Sequence, residues 1–282
     1  MSFVTSYLMG GLGNQLFQIF TAINYSLKYN CQIFFTDRKE LIVPGSTTRY
    51  TYWNTFLKNI KHFVINNNIN TTRIDENYQL YIPNFNRNIE LFGYFQSYKY
   101  FDENRNRILD IIKFKDIQNE VKEENSVYFL KDTYKVSMHF RLGDYKHLAG
   151  YHPVMPYKYY EEALKSLLKI LEEQNIKENI EILYCCEKED NEIVNETIEK
   201  LKFIHNDIIF TKVEDNLEDW KQMVIMSMCN SNIIANSSFS WWSGYLNNNK
   251  NKVVIYPSVW FGEKINKDVS NMFYNEWIKI KI

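Results

Sequence analysis

The stretch that indicates the fold most clearly is His139-Phe140-Arg141-Leu142-Gly143-Asp144-Tyr145, which follows a strand-like run over residues 134–138. It places a cation, an imidazole, a carboxylate and a glycine at the predicted end of a strand. In open α/β sheets ligands bind at the carboxyl ends of the strands, and an arginine beside a backbone turn suits a phosphate or pyrophosphate group. The stretch therefore predicts an anion site in an α/β fold. The alternative is an Arg141–Asp144 pair with a purely structural role.

The second half of the chain alternates predicted strands with predicted helices. The predicted strands cover residues 134–140, 180–186, 207–210, 232–235 and 253–256. The predicted helices cover residues 157–174, 188–201, 217–229 and 239–246. Alternation of this kind indicates a parallel sheet.

The N-terminal half begins with a predicted strand over residues 3–8, a glycine-rich turn over residues 10–15 and a helix with apolar residues at helical spacing. Such a turn lets backbone N–H groups meet an anion, although it also fits a simple tight turn. A dinucleotide-binding oxidoreductase has little support, because Leu16 stands where the third glycine of its motif belongs.

The remainder of this half is less regular. We predict strands over residues 32–36 and 89–94, irregular structure over 41–81 and a helix over 102–113. The charged, weakly patterned stretch over 115–125 is interpreted as the domain boundary. This gives an N-terminal α/β domain over 1–125 and a C-terminal α/β domain over 126–282, with a cleft between them.

A third turn, Asn236-Ser237-Ser238-Phe239-Ser240-Trp241-Trp242, again lies between a strand and a helix. Its hydroxyls and the helix N-terminus suit phosphate oxygens, whereas a helix cap alone would need only one serine. The tryptophans are expected in the core. We interpret the three turns as converging on one pyrophosphate. No Asp-x-Asp pair is present, so Arg141, backbone N–H groups and hydroxyls would neutralise it without a metal.

Composition narrows the function classes. The net charge of −1 gives no basic surface for nucleic acid, and the aromatic fraction of 16% fits either a core or sugar-binding platforms. The four cysteines form no Cys-x-x-Cys pair, which favours free thiols in a reducing compartment. We see no signal peptide and no apolar run long enough for a membrane span, and expect a soluble cytoplasmic protein.

Several stretches resemble the α-1,2-fucosyltransferases of glycosyltransferase family 11. The similar stretches are residues 10–18 (GGLGNQLFQ), 93–101 (GYFQSYKYF), 139–145 (HFRLGDY), 233–242 (IIANSSFSWW) and 256–261, together with His152 and Tyr159-Tyr160. They span nearly the whole chain in the family's order.

The resemblance implies a GT-B fold of two Rossmann-like domains, with the acceptor on the N-terminal side and the nucleotide sugar held by the C-terminal domain. It implies an inverting, metal-independent transfer of a 6-deoxyhexose, typically L-fucose from GDP-fucose, to the 2-hydroxyl of a galactose. The partners are thus a nucleotide-sugar donor and a glycan acceptor, and no further cofactor is expected.

The resemblance also implies roles for individual residues. His139 would lie near the nucleoside, Arg141 would bind the diphosphate, and the turn of Asn236, Ser237, Ser238 and Phe239 would contact the donor. Gly11, Leu12 and Gly13 would close on the sugar, with Asn14 near the reaction centre. Apart from the resemblance, the residues themselves make Asp144 a candidate base or a group that orients Arg141. His152 and His147, on the loop that follows, are further candidate bases, and His147 is expected to be simply an exposed loop residue.

Two positions depart from the family pattern. Leu142 replaces the family's second arginine, and Gln222 replaces an aspartate that in related enzymes accepts hydrogen bonds from guanine. A glutamine amide offers an acceptor and donors, which suits the mixed edge of uracil. A UDP-deoxysugar such as UDP-L-rhamnose is therefore an alternative donor, unless Asp219 restores guanine binding. A catalytically inactive, glycan-binding relative is a further alternative.

Overall fold

The computed structural model describes residues 2–41, 48–66, 70–77 and 79–282. The chain divides into two compact units, Met1–Ile117 with Ser270–Tyr274 and Gln118–Val269 with Asn275–Ile282. The units therefore separate inside a helix, earlier than the predicted boundary at 125/126. The roles predicted for the two domains, acceptor side and donor side, stay predictions.

The first unit has short strands around one long helix. Its elements are β1 (Phe3–Ser6), α1 (Leu12–Tyr29), β2 (Gln32–Ile33), β3 (Phe35–Thr36), β4 (Glu40–Leu41), β5 (Arg49–Tyr50), β6 (Val64–Ile65), β7 (Thr72–Asp75), β8 (Ile89–Phe92), α2 (Arg105–Ile111) and the start of α3 (Phe114–Glu124).

The main sheet of this unit is parallel, with strand order β2-β1-β8-β7. All four residues of β1 are buried, and α1 packs its apolar face into the core through Leu16, Ile19 and Ile23. The next strand along the chain, β2, pairs with one edge of β1, whereas β8 pairs with its other edge. The carboxyl ends of β1 and β8 therefore flank the position where a parallel sheet usually binds its ligand.

The second unit alternates strands and helices as predicted. Its elements are the rest of α3, β9 (Tyr134–His139), α4 (Tyr157–Glu173), β10 (Ile180–Cys185), α5 (Asn191–Ile204), β11 (Ile209–Lys212), α6 (Asp219–Ser227), β12 (Ser231–Ile233), α7 (Ser238–Leu246), β13 (Val254–Pro257) and β14 (Ile278–Ile280).

The sheet of the second unit has six parallel strands in the order β11-β10-β9-β12-β13-β14. This is the strand order of a doubly wound Rossmann sheet, in which the order reverses between the first and fourth strands. Here those strands are β9 and β12. The turns that follow them carry Arg141 and Ser237, so the fold brings both predicted anion turns to one switch point. The predicted α/β class with parallel sheets is confirmed.

The irregular structure predicted over 41–81 is wrong for part of the described chain. Strand β7 belongs to the main sheet, β4 pairs with β5, β3 pairs with β6, and a 3-10 helix covers Lys58–Phe63. These strands are only two to four residues long, so no periodicity marks them. The parts of that prediction over residues 42–47, 67–69 and 78 lie outside the described residues.

The stretch over 115–125, interpreted as the domain boundary, was given no regular structure in the sequence analysis, whereas it lies almost wholly in α3. Phe114, Ile117 and Val121 recur at helical spacing and are buried, while charged residues cover the other face. The strand β14 was not predicted either.

Among the described residues, we find no helix with both the length and the apolarity that crossing a bilayer requires.

Candidate active site

Arg141 follows the last residue of β9 and is largely buried, with a side chain 17% exposed. Its guanidinium forms ion pairs with Asp144, on the following turn, and with Glu187, which follows β10. Burial opposes the charge of Arg141, but Glu187 and Asp144 more than compensate and raise its pKa. The guanidinium also lies 4.8 Å from the ring of Tyr145. The structure therefore presents a fixed cation at the end of the central strand.

The buried carboxylate of Asp190 holds the turn after Arg141 in place. Asp190 accepts hydrogen bonds from the Gly143 backbone N–H at 2.8 Å and from the Lys146 ammonium at 2.7 Å. Gly143 has a φ of +40°, and a Cβ there would stand 2.6 Å from a carboxylate oxygen of Glu187. The positive φ favours glycine at position 143, and a side chain there would crowd the Glu187 carboxylate that pairs with Arg141.

The predicted candidate base His152 belongs to the same cluster. Its ring stacks on Tyr145 at 4.7 Å between centroids and lies 5.7 Å from Phe261. Burial lowers the pKa of His152, and Arg141 lowers it further, while Asp144 opposes the shift. The imidazole is therefore neutral near pH 7 and able to accept a proton. His147, by contrast, is exposed on the loop.

The second anion turn lies between β12 and α7. Ser237 caps the helix, and its hydroxyl accepts a hydrogen bond from the Phe239 N–H at 3.3 Å. Ser238 is partly exposed at the first helical position, whereas the Ser240 hydroxyl is buried and donates to the Ala235 carbonyl at 3.2 Å. Ser237 and Ser238, with the N–H groups of the first turn, are therefore the groups that a phosphate would meet. Trp241 and Trp242 are fully buried, as predicted.

Asn236 has a structural function in this turn. Its side-chain amide is buried and donates to the carbonyls of Pro153 at 2.9 Å and Trp260 at 3.2 Å. It joins the loop that carries His152 to the segment that carries Phe261. This explains why residues far apart in the sequence, including the 256–261 stretch, gather at one place.

His139 ends β9 with its ring 5.4 Å from that of Phe239. Burial, with a smaller effect from Arg141, lowers the pKa of His139 to about 3. Its Nδ1 is buried and has no hydrogen-bond partner among the described residues. The ring is thus a neutral, partly unsatisfied group beside the anion site, consistent with contact to a polar ligand.

The two turns of the second unit are in direct contact. The Tyr145 hydroxyl donates to the Asn236 carbonyl at 3.3 Å, and His139 packs against Phe239. The structure therefore brings the predicted cation, the serine hydroxyls and the helix N-terminus to one edge of the sheet. This set can bind a diphosphate and stabilise negative charge that develops on it.

The first unit has its own ordered turn at the ends of β1 and β8. Gly10 has a φ of +75°, and Asn14 accepts a hydrogen bond from the Gln96 amide at 2.9 Å. Gln96 lies in the Gly93–Phe101 stretch, which thus holds Asn14 in place. Gly11 caps α1 with its backbone, while Leu12 and Gly13 are buried in the first turn of the helix. Their contact with the sugar stays a prediction, as does convergence with the turns of the second unit.

The two departures from the family pattern take different positions in the second unit. Leu142 is 5% exposed and belongs to the hydrophobic core, so it leaves the polar side of the turn to Arg141. Gln222 lies near the start of α6, where its amide donates to the Leu217 carbonyl at 2.9 Å. Asp219 accepts from the Trp220 N–H at 2.7 Å. Base recognition by Gln222 stays a prediction.

The contributions of Glu187, Asp190 and the Tyr145 ring to the site were not predicted from the sequence, although a signal for Glu187 was present. Glu187 directly follows a predicted strand that neighbours β9, and carboxyl ends of neighbouring strands meet at one edge. Tyr145 and Asp190 act through a stacked ring and a buried carboxylate, which only the tertiary structure shows.

Solved structures show which class of protein this fold defines. A mutant of FUT1 from Arabidopsis thaliana in complex with GDP matches with a TM-score of 0.52 at 10% identity, over 90% of this chain and 70% of that chain. NodZ α-1,6-fucosyltransferase co-crystallised with GDP matches with a TM-score of 0.51 at 11% identity, over 86% and 91%. The fold is therefore the GT-B-like fold of glycosyltransferases.

Sequence comparison then gives the family. The chain belongs to glycosyl transferase family 11, which matches residues 5–281. It is a glycosyltransferase of the fucosyltransferase type, as the motifs predicted.

Two relatives come from Escherichia coli. The α-1,2-colitosyltransferase is 27% identical over the full length of both chains. The O-antigen biosynthesis glycosyltransferase WbnK is 28% identical over 198 residues, which are 67% of this chain and 60% of WbnK.

Proposed function

We propose that this enzyme transfers a 6-deoxyhexose, L-fucose from GDP-fucose, to the 2-hydroxyl of a galactose in a glycan, with inversion and without a bound metal. The observation that carries the proposal is that the turn of Arg141 and the turn of Ser237, with the α7 N-terminus, follow β9 and β12 at the switch point of a family 11 chain. We also propose the cytoplasmic localisation that was predicted from the sequence.

Leaving-group stabilisation is the main contribution that we assign to the second unit. As the acceptor oxygen attacks the anomeric carbon, the bond from that carbon to the diphosphate oxygen breaks and the departing diphosphate gains charge. Arg141, Ser237, Ser238 and the N–H groups of α7 meet that charge. Loss of one preorganised donor of this kind costs on the order of 10²–10³ in rate.

A base would take the acceptor proton, and the contacts of the two candidates favour a different role for each. Asp144 is paired with Arg141, so its carboxylate orients the guanidinium. His152 is neutral and stacked in the same cluster, so we assign it the proton. In this proposal Asp144 is a positioning residue and His152 is the base, while the role of Asn14 near the reaction centre stays a prediction.

The relative that matches over its full length widens the choice of sugar. An α-1,2-colitosyltransferase transfers a 3,6-dideoxyhexose, which differs from fucose by one hydroxyl. Both sugars lack the 6-hydroxyl, and the linkage in the name of this relative, α-1,2, is the one proposed here. The proposal therefore includes GDP-colitose as a second donor of the same class.

A UDP-deoxysugar is the alternative to these GDP-linked donors, because Gln222 stands where an aspartate that recognises guanine is expected. One amide N–H of Gln222 donates to Leu217, which leaves the oxygen and one N–H for a base edge. A Gln222→Asp variant should raise the ratio of GDP to UDP affinity in competition binding. An unchanged ratio would remove Gln222 from base recognition.

The direct test is a transfer assay with EDTA present. GDP-fucose, GDP-colitose and UDP-L-rhamnose are each offered with a galactose-terminated oligosaccharide, and the products are analysed by mass spectrometry and NMR for mass, linkage and anomeric configuration. An α-1,2-linked product from a GDP-deoxysugar supports the proposal. Transfer from UDP-L-rhamnose alone would replace the donor, and glycan binding without transfer from any donor would indicate an inactive relative.

A further inference from the structure

The outer face of helix α5, in the second unit, carries apolar side chains that lie at the surface. The inner face of this helix packs into the core. On the outer face Ile193, Phe203 and Ile204 are exposed, and Phe203 is 90% exposed. Ile193 and Ile204 are about three helical turns apart, so they share one side of the helix. A phenylalanine exposed to this degree beside isoleucines is typical of a surface that another molecule covers.

Two opposite charges lie between the apolar ends of this face. Glu196 and Lys200 are both exposed and stand one helical turn apart. The Lys200 ammonium lies 5.6 Å from the ring centroid of Tyr157, so it is placed against the neighbouring helix α4. Glu199 belongs to a different ion pair, with Lys202 at 2.8 Å. Along the helix, the face therefore reads apolar, acidic, basic, apolar.

This order of side chains is complementary to itself under a two-fold axis. Position 198 lies midway between Glu196 and Lys200, and it also lies midway between Ile193 and Phe203. When two copies pack α5 antiparallel about an axis beside position 198, each Glu196 meets Lys200 of the other copy. The same axis brings each Ile193 to Phe203 of the other copy. One arrangement therefore pairs the charges and covers the apolar groups together.

A groove beside Phe203 provides room for the apolar part of this contact. Its volume is about 530 Å³, and its lining consists of Tyr157, Glu196, Glu199, Lys200, Phe203 and Ile204. Ile193 lies outside the lining, and the antiparallel arrangement brings Ile193 of the other copy to this groove. The groove and the side chain that fills it then come from the same helix, as a symmetric contact requires.

We propose that the outer face of α5 joins two copies of this chain, packed antiparallel about a two-fold axis beside position 198. A second copy is the occupant because the charge pattern matches itself. A membrane surface would instead favour a basic face, whereas Glu196 here accompanies Lys200. One helix pair with part of α4 is a small interface, so we expect a dimer that dissociates in the micromolar range. This inference does not depend on the proposed function.

The first test is sedimentation equilibrium of the wild type, of Phe203→Glu and of Leu130→Glu. Leu130 is the matched control, since it is 75% exposed in the same unit but lies outside α5. We expect the wild type to dimerise, Phe203→Glu to raise the dimer Kd about tenfold or more, and Leu130→Glu to leave it unchanged. Equal Kd values for the two variants would overturn the proposal. So would a wild type that stays monomeric throughout the micromolar range, whether or not it binds phosphatidylglycerol vesicles.

Charge reversal tests the antiparallel pairing itself. Glu196→Lys and Lys200→Glu each place like charges opposite one another at two symmetric positions, so each should raise the dimer Kd about tenfold. The double variant restores opposite charges and should return the Kd to within a few-fold of the wild type. Both positions are exposed, so the melting temperatures should stay close to that of the wild type. Single variants with the wild-type Kd, or a double variant as weak as the singles, would overturn the proposed pairing.

Discussion

At the scale of single residues, Arg141 is the group on which donor binding depends in the proposed function. Its partners Asp144 and Glu187 are both well exposed, at 40% and 47% of their side chains, and come from different turns. A diphosphate that binds Arg141 must compete with these carboxylates. The strength of donor binding is therefore the difference between two charge-assisted interactions of one guanidinium.

Removing the Glu187 charge should tighten nucleotide binding. We expect Glu187→Gln to bind GDP a few-fold more tightly than the wild type, because one competitor for Arg141 is neutralised. Glu189→Gln is the matched control, since it removes the same charge from an exposed neighbour. Calorimetric titration measures both. Weaker GDP binding in Glu187→Gln would show that Glu187 supports the bound state.

His139 should remain neutral through the physiological range. The unfolded chain protonates this histidine near its ordinary pKa of 6.5, whereas burial lowers its folded pKa to about 3. Between these values the unfolded state binds the proton and the folded state does not, so its contribution to the free energy of unfolding falls as the pH falls from 6.5 toward 3. NMR of the imidazole should show no titration between about pH 8 and about pH 5.

A His139→Asn variant provides the assignment and the control. It should lose part of the acid sensitivity of the melting temperature. A His139 signal that titrates near its ordinary pKa would contradict the buried, neutral state.

At the scale of elements, the turn from β1 to α1 requires glycine at one position and tolerates a side chain at the next. Gly10 has a φ of +75°, and a Cβ there would stand 2.5 Å from the Asn14 amide nitrogen. A Cβ added at Gly11 would meet no other atom within 4 Å. We expect Gly10→Ala to lower the free energy of unfolding by about 1–3 kcal/mol, and Gly11→Ala to leave it nearly unchanged. Denaturant unfolding measures both, and equal losses would show that the turn is not strained.

The same scale shows what could be predicted from sequence. The strands and helices from β9 to β13 follow clear apolar patterns, so their order, the parallel sheet and the turns carrying Arg141 and Ser237 were predictable. Helix α3 was missed because its charged residues hid the spacing of Phe114, Ile117 and Val121. Strand β7 was missed because three of its four residues are exposed, so little burial shapes its sequence.

The sequence indicated the residues proposed to contact the ligand, but not the residues that hold them in place. Arg141, Ser237 and His139 carry recognisable chemistry at strand ends. Gln15 and Asp190 are buried polar residues that hold turns together, and their partners are set by tertiary packing rather than by spacing. The Glu187 ion pair depends on the register between β9 and β10, which no local pattern specifies.

At the scale of the whole molecule, the reactivity of the cysteine thiols indicates whether the chain is folded. Cys185, Cys186 and Cys229 are buried free thiols, and burial raises the pKa of Cys186 and of Cys229 to about 12. We expect them to be inert toward a thiol reagent at about pH 8 until the protein unfolds, because the thiolate is the reactive form. Only Cys31, which is partly exposed, should react in the folded state, so Cys31→Ser should abolish native labelling. Rapid labelling of the other three thiols would contradict the packing of the second unit.

Both units share one principle of construction, in which functional turns follow the strands at the point where the order of a parallel sheet reverses. In the second unit that point carries the cation, the hydroxyls and a helix N-terminus. In the first it carries the glycine turn and the bond from Gln96 to Asn14. We therefore expect the nucleotide to bind at the second unit.

The most direct test of that assignment is calorimetric titration of the wild type and of Arg141→Ala with GDP and with UDP, in the presence of EDTA. We expect GDP to bind the wild type more tightly than UDP does, and Arg141→Ala to weaken GDP binding on the order of 10²-fold. GDP binding that survives the loss of Arg141 unchanged, or a wild type that binds neither nucleotide, would contradict it.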